Sequence, residues 1–128
     1  MAIISISVDD ETLKAADDAV EKMGMRNRSE LFRRGVENIL SEVRQSEDLP
    51  KNADAVLIAM HDEDAEDEIT HIKHGYEKIT VMQTHTHVGK DKCLEIFVLK
   101  GDGKKMSEFS QELFSNRKIR YSRLVRTD

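Results

Sequence analysis

Tryptophan is absent from this 128-residue chain, proline and cysteine occur once each, and aromatics make up only 5%. A single cysteine excludes an intrachain disulfide framework, so nothing covalent staples the fold. With so few aromatics, the core must be filled by aliphatic side chains and methionine. No apolar run reaches the length of a membrane span, and no charged-then-apolar leader opens the chain. Together with the lone thiol, these absences give the expectation of a cytoplasmic protein without membrane contact. A broad excess of positive charge is also missing. The net charge is −5, and residues 1–48 carry 7 Lys/Arg against 11 Asp/Glu. Any phosphate contact must therefore be local. The candidate place is Arg26, Arg28, Arg33 and Arg34, opposed within that stretch only by Glu30.

The 38% hydrophobic and 35% charged content suits a globular protein of one ordinary domain or two small ones. Ile4, Ile6 and Val8 alternate with Ser5 and Ser7, the period of a half-buried strand over residues 3–8. Asp9 and Asp10 can cap a following helix bearing Leu13, Ala16, Val20 and Met23, which Gly24 ends. Ser29 is the expected cap of a second helix with an apolar stripe from Leu31 to Val43. A lone strand and two helices cannot bury their apolar faces, and a domain of about 50 residues is insecure alone. A second copy of the chain solves both problems. Two strands would pair antiparallel across a two-fold axis, burying Ile4, Ile6 and Val8 and displaying Ile3, Ser5 and Ser7 on a ribbon that fits the DNA major groove.

Residues 46–53 have the polar composition of a linker. AVLIAM, residues 55–60, reads as a continuously apolar, buried strand. The acidic run that follows reads as a solvated loop leading into a helix over 66–74. ITVMQTHTHV and CLEIFVLKG read as two strands joined by GKDK. MSEFSQELFSNR reads as a helix with Met106, Phe109, Leu113 and Phe114 on one side, and IRYSRLV as a last strand. The order β-α-β-β-α-β is that of a ferredoxin-like domain.

His85 and His87 stand one residue apart on an expected strand, so both imidazoles face the same way. The hairpin turn can bring Cys93 beside them. Two imidazoles and a thiolate suit a transition metal. Tetrahedral coordination would indicate zinc, and a planar arrangement Ni(II) or Cu(II). A fourth ligand could come from His71, from His74 or from another subunit. A zinc hydrolase would need a general base, for which Glu95 is the only candidate, and no substrate-binding motif accompanies it.

The strand, the helix ending at Gly24 and the NRSE that opens the second helix resemble the ribbon-helix-helix repressors. HTHVGKDKCLEIFVLKGD resembles the regulatory domain of the NikR family of nickel-responsive repressors. The resemblance implies an α+β chain: a ribbon-helix-helix domain (β-α-α) over 1–46, a linker over 47–53 and an ACT-like βαββαβ domain over 54–128. It implies a nickel-responsive regulator of transcription, not an enzyme, that represses nickel uptake genes. One Ni(II) per subunit would be held by His85, His87, Cys93 and a partner chain's His74 in a planar site. The chain would form a homotetramer, a dimer of dimers, on double-stranded operator DNA. Ile3, Ser5 and Ser7 would face the groove, with Arg28 and the amides from Ser29 onward on phosphate. Glu95 would hold a ligand imidazole from behind. A regulator of copper, cobalt or zinc is the alternative.

Two positions depart from the family pattern. Ile3 stands where the family usually has Arg, and an apolar side chain cannot make the bidentate contact to guanine. Arg34 stands where the family tends to place an acid that joins Glu30 in a secondary cation site. Either that site is absent, or Arg34 supplies a fixed positive charge in its place.

Overall fold

The helical periodicity after Asp9 becomes α1 (Asp10–Met23), capped by Asp9, whose Oδ1 accepts from the Thr12 amide at 2.7 Å. Gly24 ends it at φ 66°, the left-handed conformation that costs glycine little. α2 runs from Arg28 to Glu47. Its cap is Asn27 rather than the expected Ser29: Asn27 Oδ1 accepts from the Glu30 amide at 2.9 Å. Both residue types cap helices, and Asn27 comes first, which leaves Ser29 inside the first turn.

This computed structural model describes residues 1–127. Asp128, the last residue of the expected carboxy-terminal domain, lies outside the described residues. Two compact units divide the chain, residues 1–40 and 41–128. In the first, residues 1–9 form no regular secondary structure, so the strand expected over 3–8 is not made. The reason is physical: a strand exists through its hydrogen-bonded neighbour, and the first unit contains no other strand. Ile3, Ile4 and Ile6 are accordingly 96%, 81% and 59% exposed.

The second unit holds β1 (Ala53–Asp62), α3 (Glu66–His74), β2 (Thr80–Val88), β3 (Lys92–Gly101), α4 (Gly103–Ser115) and β4 (Ile119–Arg126). The strands form one antiparallel sheet in the order β2-β3-β1-β4. This is the α+β, ferredoxin-like arrangement expected. The core gathers Leu57, Ile69, Phe97, Leu99, Met106, Phe109 and Leu113. β1 is not buried on both faces as its apolar run suggested. Ala53, Ala55, Leu57, Ala59 and His61 are buried, whereas Val56, Ile58 and Met60 stay partly accessible. An antiparallel sheet covered by helices on one side leaves its other face open. Phe114 is a further correction: it is 67% exposed, while Met106, Phe109 and Leu113 are fully buried. It directly follows Leu113, and the helical twist of about 100° per residue turns it away from the core.

The expected linker packs onto this unit. Leu49 lies against the core, and the Gly103 amide donates to the Pro50 carbonyl at 2.9 Å. A β-carbon at Gly103 would overlap Leu49, so only glycine permits this approach. No helix among the described residues is long and apolar enough to cross a membrane.

Candidate functional site

β2 is an edge strand, joined to β3 by the three-residue turn Gly89–Asp91, in which Gly89 and Asp91 take φ of 56° and 61°. That short turn sets the register. His87 lies opposite Cys93, and His85 opposite Glu95. Directly opposed residues share a sheet face, so both imidazoles, the thiol and the Glu95 carboxyl point to the helix-covered side. The donor atoms of His85, His87 and Cys93 all lie within 4.8 Å of one another. Cys93 Sγ is 3.6 Å from His87 Nδ1. An ion shared at ordinary bond lengths would separate nitrogen from sulfur by about 3.0 Å at a right angle and about 3.5 Å at the tetrahedral angle. The Cys93–His87 pair therefore needs little closure to share a borderline transition metal, and the full set of three closes from within 4.8 Å.

Cys93 is fully buried, and its thiol is pushed above its ordinary range, first by burial and then by the Glu63, Glu66 and Glu95 carboxylates. A metal binds the thiolate, so at neutral pH binding must expel that proton. Metal affinity is therefore expected to rise by about tenfold per pH unit while pH stays below the thiol's raised pKa. A competition titration with a chelator, repeated across neutral pH, checks this, and a flat profile would contradict it.

Of the expected ligands, the structure gathers three. His74 lies at the end of α3, 71% exposed, with Nδ1 2.6 Å from Glu77 Oε1. It is not a member of the three-donor group. Glu95 is buried, and its Oε1 lies 3.8 Å from His85 Nδ1. Sequence reasoning passed over Glu63, whose Oε1 is 2.9 Å from His87 Nδ1. The acidic run read as solvated, yet the Glu63 amide donates to the Asp91 carbonyl at 3.0 Å, which sets it beside the hairpin turn. His87 Nδ1 is the same ring nitrogen that faces Cys93 Sγ, so the Glu63 carboxylate gives up Nδ1 when a shared ion takes it. His61 was also missed. It reads as the start of the charged run but is the penultimate residue of β1, buried opposite Cys93.

In the first unit, Arg28 is bound to Asp17 through a bidentate pair at 2.7 and 2.9 Å. Arg34 Nη2 lies 3.6 Å from Glu30 Oε1, and Glu30 Oε2 accepts from the Arg26 amide at 2.7 Å. Positive groups thus already surround the Glu30 carboxyl, and the backbone amide first of all holds it below the usual carboxylate range. α2 presents an apolar groove lined by Leu31, Phe32, Gly35, Val36, Ile39 and Leu40. Ile3, Ser5, Ser7 and Ser29 are exposed.

Residues 55–127 match the family model of the NikR C-terminal nickel-binding domain, and residues 2–40 match that of ribbon-helix-helix proteins of the CopG family. A nickel-responsive regulator of Haloarcula marismortui is 31% identical over 112 residues, covering 85% of this chain and 81% of that protein. One from Methanococcus maripaludis is 28% identical over 125 residues, covering 95% and 89%. Among solved structures, an uncharacterized protein from Thermotoga maritima matches 60% of this chain and 99% of its own, with a TM-score of 0.56 at 15% identity, a likeness of fold alone. These matches span both units and point to a regulator, not an enzyme. The chain belongs to the NikR family of nickel-responsive transcription regulators.

Proposed function

We propose that this chain represses nickel uptake genes, binding operator DNA as a homotetramer when Ni(II) is bound at one site per subunit. The observation that carries the reading is the convergence of His85, His87 and Cys93 within 4.8 Å on one sheet face, in a chain whose residues 2–40 match a ribbon-helix-helix module. His85, His87 and Cys93 would hold the ion with His74 of a second copy. In support, the cluster offers three donors, and His74 is exposed. The ion would supply a bond between chains at that place.

The amino-terminal units would pair through residues 3–8 and the groove on α2. Exposed Ile4 and Ile6 and the groove from Leu31 to Leu40 are apolar surface of the kind a second copy would cover. Ile3, Ser5 and Ser7 would then face the major groove, with Ser29 and Arg28 on phosphate once Asp17 releases the guanidinium. Arg34 would stand in for a secondary cation beside Glu30. An effector shifts an equilibrium only through different affinities for its states. A site completed by two chains exists only in the assembled arrangement, so occupancy favours that arrangement.

The test is a DNA-binding titration on the region upstream of the chain's own gene, with and without stoichiometric nickel. Nickel is expected to tighten binding by about ten- to a hundredfold, the usual span of an allosteric coupling. Equal affinities in both arms would contradict the reading. Repeating the titration with zinc, cobalt and copper identifies the effector.

A further inference from the structure

Behind the cluster lies a polar layer for which the metal donors do not account. His61 and Glu95 are 0% and 1% exposed, on neighbouring strands whose buried face is otherwise built of alanine, leucine, phenylalanine and Cys93. Both His61 ring nitrogens are engaged. Nδ1 lies 2.8 Å from the Asp62 carbonyl, and Nε2 lies 2.7 Å from Glu95 Oε2. A carbonyl can only accept, so Nδ1 carries a proton, and a further proton lies between Nε2 and Oε2. The other carboxylate oxygen, Oε1, accepts from Lys73 Nζ at 3.1 Å and from Gln83 Nε2 at 2.9 Å. It also faces His85 Nδ1 at 3.8 Å. No buried side-chain nitrogen or oxygen among the described residues lacks a partner. Packing does not explain such a layer, because apolar residues of similar volume often serve stability as well or better.

We propose that His61 is a positioning residue for the metal site. It holds Oε2 of Glu95, which fixes the direction of Oε1. Oε1 in turn favours the tautomer of His85 that carries its proton on Nδ1, leaving Nε2 as the donor atom. Lys73, the residue before His74, binds the same oxygen and ties the end of α3 to the layer. The inference deepens the metal-binding reading and rests on it.

The test compares nickel affinity, the absorption spectrum of the nickel-loaded protein and the melting temperature of the metal-free protein for the full chain, His61→Phe and His61→Gln. Phenylalanine keeps a planar ring and removes both nitrogens, whereas the glutamine amide can still donate to Oε2. Affinity in His61→Phe is expected to fall by about ten- to a hundredfold with an altered spectrum. His61→Gln is expected to recover most of the loss. Wild-type affinity and spectrum in His61→Phe, with only its melting temperature changed, would overturn the inference, as would His61→Gln binding as weakly as His61→Phe. Should His61→Phe not fold, Glu95→Gln takes its place: the same weakening supports the inference, and wild-type binding overturns it. A full chain that binds no nickel would instead overturn the underlying reading, and the inference with it.

Discussion

Nickel affinity is expected to fall roughly 100- to 1000-fold when Cys93 is replaced by alanine. The argument starts from scale. Four-ligand metal sites of this donor type contribute about 10–16 kcal/mol near neutral pH, so one ligand accounts for about 2.5–4 kcal/mol. The thiolate is the one anionic donor among the three that the structure gathers, which puts it at the upper end. The chain should tolerate the change. Cys93 is buried at the rim of the sheet, opposite His87 and His61, so alanine leaves a cavity of about one sulfur atom and costs roughly 1 kcal/mol of stability. A chelator competition titration reads the affinity, and circular dichroism of the metal-free variant reads the fold. Undiminished affinity would remove Cys93 from the site.

Ile39→Asp is expected to abolish DNA binding and leave nickel binding in place. Ile39 is half-exposed in the single chain and lines the groove on α2. An aspartate there meets solvent in the isolated unit and costs it little. In the proposed pair, two-fold symmetry would bury two such carboxylates. At roughly 3 kcal/mol each, the pair loses about 6 kcal/mol, more than ten-thousandfold in its dissociation constant. Sedimentation of residues 1–48 with and without the substitution reads the pairing, and an electrophoretic DNA titration of the full chain reads the consequence. A variant that still binds DNA like the wild type would sink the proposed role of this groove.

The local elements were legible because local periodicity creates them. The helix over 66–74 and the two strands flanking GKDK lie where apolar spacing and turn residues place them. His85, His87 and Cys93 could be read as one cluster because a short hairpin fixes register without further information. Features set by distant partners stayed hidden. His61 reaches Glu95 across 34 residues, and nothing local distinguishes it from the charged run it opens. Glu63 joins His87 only because β1 pairs with β3, which carries its end to the hairpin turn. Phe114 failed for a subtler reason: an apolar residue one step from a buried one looks like part of the same stripe, and only the packed helix shows which wins. The strand over 3–8 is the opposite case. Its alternation is plain, but the partner that would make it a strand is absent from the single chain.

The unpaired first nine residues also bear on gene dosage. Under the proposed pairing, the surface that reads DNA does not exist on any one chain. It arises only when two copies meet. Below the dissociation constant of that pair, the number of competent surfaces would grow with the square of the number of chains made. Halving expression would then quarter them, and a regulator that controls its own synthesis would acquire a threshold before any metal arrives.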